Sequence, residues 1–87
     1  MQILPSLYFK RKYKKFVKKH PQLSSKADKQ LKLFASNQNH RSLRLHKLTG
    51  NKKHYWSIAV DKNIRILFEY IEENIILIDI GSHDEVY

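Results

Sequence analysis

The sequence predicts an α+β fold: a short N-terminal strand, two α-helices, then an antiparallel β-meander. Three observations predict it. Apolar residues recur with a period near 3.6 from Phe9 to Ala35, the period falls to about 2 from Leu43 onward, and the helical and extended stretches are segregated rather than alternating. The 87 residues contain no internal repeat, low-complexity tract or Ser/Gly-rich linker, so one domain spanning 1–87 is expected.

Met1-Gln2-Ile3-Leu4 is a short apolar segment ended by Pro5, which suits an edge or first strand. From Ser6 onward, Phe9, Tyr13, Phe16 and Val17 fall on one helical face, while Lys10, Arg11, Lys12, Lys14, Lys15, Lys18 and Lys19 cover the rest. Pro21 ends that helix. Ser24 or Ser25 can cap a second helix, in which Ala27, Leu31, Phe34 and Ala35 face inward and Lys26, Lys29 and Lys32 face water, and which stops near Asn37. After Asn39, Leu43 and Leu45 alternate with Arg44 and His46 as a strand before the turn signal Thr49-Gly50-Asn51. In "HYWSIAV" His54, Trp56, Ile58 and Val60 share a face. "DKN" then turns, "IRILFEYI" follows, "EEN" turns, and "IILIDI" completes the meander. The last two strands are apolar on both faces. They are therefore central, covered by the helices on one side and only partly open on the other.

The absence of cysteine rules out disulfides, thiolate metal sites and a cysteine nucleophile, and points to the cytoplasm. No stretch nears the roughly 18 apolar residues of a spanning helix, and the N-terminus lacks a signal-peptide core, so a soluble protein is expected. The net charge of +9 is unevenly spread. Residues 1–60 hold 15 Lys/Arg against the single acid Asp28, whereas residues 61–87 hold two against seven. A surface this basic collects polyanions by counterion release. Nucleic acid is the leading partner class, ahead of an acidic protein or an anionic membrane, with a merely solvated face as the plainer reading.

The five histidines show no paired ligand spacing, so neither a metal nor any other cofactor is expected. With Gly50 and Gly81 as its only glycines, the chain has no phosphate loop, and no acyl-transfer triad is apparent. What the meander can gather is a set of cations and imidazoles: His46 and Lys47 before the turn, Lys52, Lys53 and His54 after it, Arg65, and His83 in the terminal "DIGSHDEVY". Arg65 points away from Ile64, Ile66, Phe68 and Tyr70. Its charge needs a partner in a central strand, either Glu69 or Asp79, or else a phosphate from outside. For His83 the plainer reading is a surface histidine on a turn.

The order Leu45-x-x-Leu48-x-Gly50, then "YWSIAV", then Arg65-Ile-Leu-Phe68, then "IILIDIGSHDEVY" resembles the RelE/ParE family of toxin–antitoxin toxins over the whole chain. That resemblance implies the fold above, a cognate antitoxin and, in the RelE/YafQ-like branch, ribosome-dependent cleavage of mRNA without a metal. His46 and His83 look like catalytic histidines of that branch, and Arg65 resembles the arginine directed at the scissile phosphate. Two positions depart from the pattern: Ala59 stands where a further histidine is expected, and Asn63 where an aspartate is. Lys10, Arg11, Lys14, Lys15 and Lys18, with Lys52, Lys53 and His54, are then expected to bind RNA or the ribosome, and Tyr87 to stack on a base. The alternative within the same resemblance is a ParE-like protein that inhibits DNA gyrase without cutting RNA, although Gly81-Ser82-His83-Asp84 replaces the Gly-His-Arg ending of ParE proteins. Outside the resemblance stands a non-catalytic basic RNA-binding module with structural histidines.

Overall fold

The structure, a computed structural model, describes residues 2–87. Strand β1 (Ile3–Pro5) leads into helix α1 (Leu7–Lys19) and helix α2 (Pro21–Ser36), followed by β2 (His46–Lys47), β3 (Tyr55–Ala59), β4 (Ile64–Ile71), β5 (Asn74–Ser82) and a terminal turn of helix, α3 (His83–Val86). The strands form one sheet in the order β1-β5-β4-β3-β2. The chain is α+β: β2 to β5 are antiparallel as expected, and β1 closes the far edge by pairing parallel to β5, Ile3 opposite Ile75. Met1 lies outside the described residues.

Ser6 starts α1, its hydroxyl accepting from the Phe9 amide at 3.0 Å. The junction to α2 is tighter than the capping pattern implied. Neither Ser24 nor Ser25 caps the second helix. Pro21 itself occupies its first turn, where a fixed φ and a missing N–H cost nothing. Phe9, Phe16, Ala27 and Phe34 meet Ile58, Ile66, Phe68, Ile75 and Ile80 in the main core, with the Phe34 and Phe68 rings tilted against each other at 4.8 Å and both fully buried. Each side chain of that size contributes about 1.5–3 kcal/mol by leaving water. Ala35, expected inward, is exposed; the buried polar position is Gln30, whose amide donates to the carbonyls of Ala59 at 2.8 Å and Ser42 at 3.2 Å. Those bonds satisfy carbonyls at the sheet's end and in the loop beyond it.

The stretch expected to run as a strand from Leu43 is mostly not one. Arg41–Leu43 form a 3₁₀ turn and Arg44 adopts a left-handed conformation, φ 47°, leaving only His46 and Lys47 to pair with β3. Tertiary anchoring of Leu43, fully buried, overrides the alternation. In β5, Leu67 pairs with Asp79 and Phe68 with Leu77, so Ile78 is an extra residue. This bulge changes the phase of the strand: Ile75 and Leu77 face the helices before it, Ile80 after it, and Ile78 joins a second cluster. That second cluster, Leu48, Leu67 and Val86, lies on the sheet face away from the helices and is roofed by α3.

Candidate active site

Alternation along β4 sends Ile64, Ile66 and Phe68 toward the helices and puts Arg65 on the opposite face beside Leu67. Neither carboxylate considered for Arg65 pairs with it. Asp79 is held instead by Lys12 of α1 at 2.9 Å, and that hydrogen bond raises the Lys12 pKa despite partial burial. The Arg65 Nη2 donates to the Arg44 carbonyl and to Ser57 Oγ, each at 2.9 Å, while its enclosed Nε finds no partner among the described residues. Room for this arrangement comes from its neighbours in the ladder, Ala59 on β3 and Gly81 on β5, the smallest residues available.

The tail brings His83 to the same place. Ser82 caps α3, its hydroxyl accepting from the Glu85 amide at 3.3 Å while the Glu85 carboxylate accepts from the Ser82 amide at 2.8 Å. These bonds hold the Glu85 carboxyl below its ordinary range. The His83 amide donates to the Asn63 carbonyl at 3.2 Å, and Val86 is buried under the sheet. Lys52 Nζ donates to the Val86 carbonyl at 2.6 Å. Gly81 makes no turn. It sits inside β5, and a side chain there would meet Val86 Cγ1 at 3.2 Å, so its role is to let the tail lie close.

Arg44, Leu45, His46, Arg65, His83 and Tyr87 line one open cleft. A second cleft shares His46 and Tyr87 with it and continues over Thr49, Asn51 and Lys52. The Tyr87 ring stands 4.1 Å from that of His83 and 6.4 Å from that of His46, and its phenol is hydrogen-bonded to Ser57. His83 itself is exposed, with Asp84 at 3.7 Å. The three residues expected to be catalytic thus line one cleft, together with Tyr87. Lys52 reaches the neighbouring cleft, whereas Lys53 and His54 are exposed beside it. Lys10, Arg11, Lys14, Lys15 and Lys18 lie on α1, which packs against β5 on the other face; Lys15 borders a separate groove with Lys12, Lys19 and Phe16. Arg44 and Ser57 were missed in the sequence. Ser57 left a signal, a lone hydroxyl on the face of β3 opposite Trp56 and Ile58. Nothing marked Arg44.

Fold and site together define a small basic α+β protein in which an arginine and two histidines share one open cleft. A family model described as "Bacterial toxin of type II toxin-antitoxin system, YafQ" matches residues 1–87, and the chain belongs to that family. A comparison with curated protein sequences found no match. Among solved structures, YafQ from E. coli strain BL21(DE3) superposes with a TM-score of 0.81 at 16% identity, covering 98% of this chain and 96% of that one. A copper-bound mutant toxin from Helicobacter pylori gives 0.78 at 17%, covering 100% and 99%. The E. coli DinJ–YafQ complex gives 0.78 at 17%, covering 98% and 96%. At these identities the likeness concerns the fold.

Proposed function

We propose that this toxin is an endoribonuclease, an mRNA interferase that cuts mRNA on the ribosome by attack of the neighbouring 2′-OH, without a metal, and so inhibits translation. The observation that carries the reading is the convergence of His46, Arg65 and His83 on one cleft. Such a cleavage needs a base to take the 2′-OH proton, an acid to protonate the leaving 5′-oxygen, and a cation at the pentacoordinate phosphorus. Two imidazoles and a guanidinium lining one cleft supply these types: histidine as a residue type titrates near neutral pH, and arginine keeps its charge. Tyr87, 4.1 Å from the His83 ring and 6.4 Å from that of His46, offers a ring on which an unstacked base can lie. The ribosome orients the strand, and the lysines of α1 and Lys52, Lys53 and His54 contact RNA backbone.

A cognate antitoxin is the second partner. The E. coli relative is known in complex with DinJ, and a Staphylococcus aureus YoeB in a heterotetramer with YefM. The test is single-turnover cleavage on programmed ribosomes. His83→Ala is expected to lower the rate by roughly 10²-fold or more and Arg65→Ala comparably, with His46→Ala milder if it only assists. A near-wild-type rate for folded His83→Ala removes that histidine from the chemistry. Absence of cuts in translated frames, with a DNA-damage response instead, replaces the reading by gyrase inhibition.

A further inference from the structure

Ser57 is the most enclosed polar side chain near the cleft, fully buried in the middle of β3 between Trp56 and Ile58. It stands opposite His46 on one side and Leu67 on the other. A buried hydroxyl without a role is costly, and an apolar residue would pack there as well. Its partners state the role. Arg65 Nη2 can only donate, so Ser57 Oγ accepts from it. The serine's own proton then needs an acceptor inside the protein, and the Tyr87 phenol oxygen is the partner in reach among the described residues. One hydroxyl therefore joins a guanidinium on β4 to the last side chain of the tail, whose ring lies against that of His83 and 6.4 Å from that of His46.

We propose that Ser57 is a positioning residue: its buried hydroxyl sets the guanidinium of Arg65 and couples it to the tail bearing Tyr87 and His83. This rests on the function proposed above. Arg65 has two anchors, the Arg44 carbonyl and Ser57. The carbonyl belongs to a residue in a left-handed turn on an exposed loop, whereas Ser57 sits in the sheet. Ser57 thus supplies the rigid reference. Without it the guanidinium keeps its charge but swings about one flexible contact, and Tyr87 is released from the sheet. An arginine so freed still meets a bound phosphate, yet holds it less well at the transition state.

The experiment pairs two measurements on wild type, Ser57→Ala and Ser57→Thr, each checked for folding by near-UV circular dichroism. Nitrogen-15 NMR of the guanidinium reads the anchor directly. Wild type should show a slowly rotating Arg65 Nη2 with resolved protons, Ser57→Ala an averaged signal, and Ser57→Thr a resolved one again. Single-turnover cleavage on programmed ribosomes reads the consequence. Ser57→Ala should lose roughly 10- to 100-fold in maximal rate, as expected for a hydrogen bond to a charged group, with half-saturation little changed. Ser57→Thr should recover most of it. A freely rotating Arg65 in wild type overturns the proposal even if Ser57→Ala does not fold. So does an averaged signal in Ser57→Ala combined with an undiminished rate. If wild type cuts no RNA while the NMR contrast holds, the function fails and the anchoring stands.

Discussion

Replacing Gly81 by alanine tests whether the tail must lie against β5 for the cleft to exist. The added Cβ would stand 3.2 Å from Val86 Cγ1, 3.2 Å from Glu85 Oε1 and 3.3 Å from Glu85 Cβ. Two effects of opposite sign compete. Alanine narrows the unfolded ensemble, worth about 0.4–1 kcal/mol where the native backbone accepts it, and Gly81 has no positive φ to forbid it. Overpacking costs about 1–3 kcal/mol when neighbours cannot move. Here they are held: Val86 is 1% exposed in the cluster with Leu48 and Leu67, and Glu85 is fixed by its bonds to Ser82. Overpacking therefore wins, and a net loss of about 0.5–2 kcal/mol is expected. The strain falls on α3, so His83 and Tyr87 shift with it. The assay is urea unfolding followed by Trp56 fluorescence, together with NMR shifts of the His83 and Tyr87 rings. Unchanged or greater stability with unmoved rings would show that the tail yields freely and that Gly81 has no such role.

Two further outcomes follow from charge. Replacing Lys10, Lys14 and Lys18 by glutamine should weaken ribosome association and lower the slope of log affinity against log salt by about one unit per lost phosphate contact, as read by sedimentation over a salt series; an unchanged slope makes the lysines a solvated face. Acid should loosen the tail. The Glu85 pKa is depressed by its bonds to Ser82, so its contribution is complete above the ordinary value of 4.5 and is lost as pH falls through the lower folded value. Protection factors of the Ser82 and Glu85 amides, corrected for intrinsic exchange at each pH, should fall in that window in wild type and stay constant through it in Glu85→Gln.

Periodicity carried most of the fold because the two large faces are built from contiguous local patterns. Phe9 and Phe16 mark one helix face, and Ile64, Ile66 and Phe68 one strand face. It failed where a residue is placed by distant contacts. Leu43 alternates with Leu45 like a strand residue, yet burial in the core turns Arg41–Leu43 into a 3₁₀ turn. Ile78 breaks the alternation of β5 by a bulge, which no two-residue repeat can announce. Gln30 shares the buried face with Ala27 and Phe34, and only distant partners, the Ser42 and Ala59 carbonyls, explain an amide there.

The site was legible by type and not by geometry. Histidine and arginine stand out in any sequence, but whether Arg65 is neutralised depends on which cation reaches Asp79 first, and Lys12 does so from a helix at the other end of the chain. The departures at Ala59 and Asn63 also gain a physical reading. Ala59 faces Arg65 across the β3–β4 ladder as Gly81 does across β4–β5, so the guanidinium runs between two small residues toward Ser57 and the Arg44 carbonyl. A histidine at position 59 would compete for that space. At Asn63 the backbone carbonyl is what matters, because it receives the His83 amide, and any side chain allows that. The two missing side chains of the family pattern therefore coincide with the two places where this chain uses small volume and backbone to set Arg65 and His83.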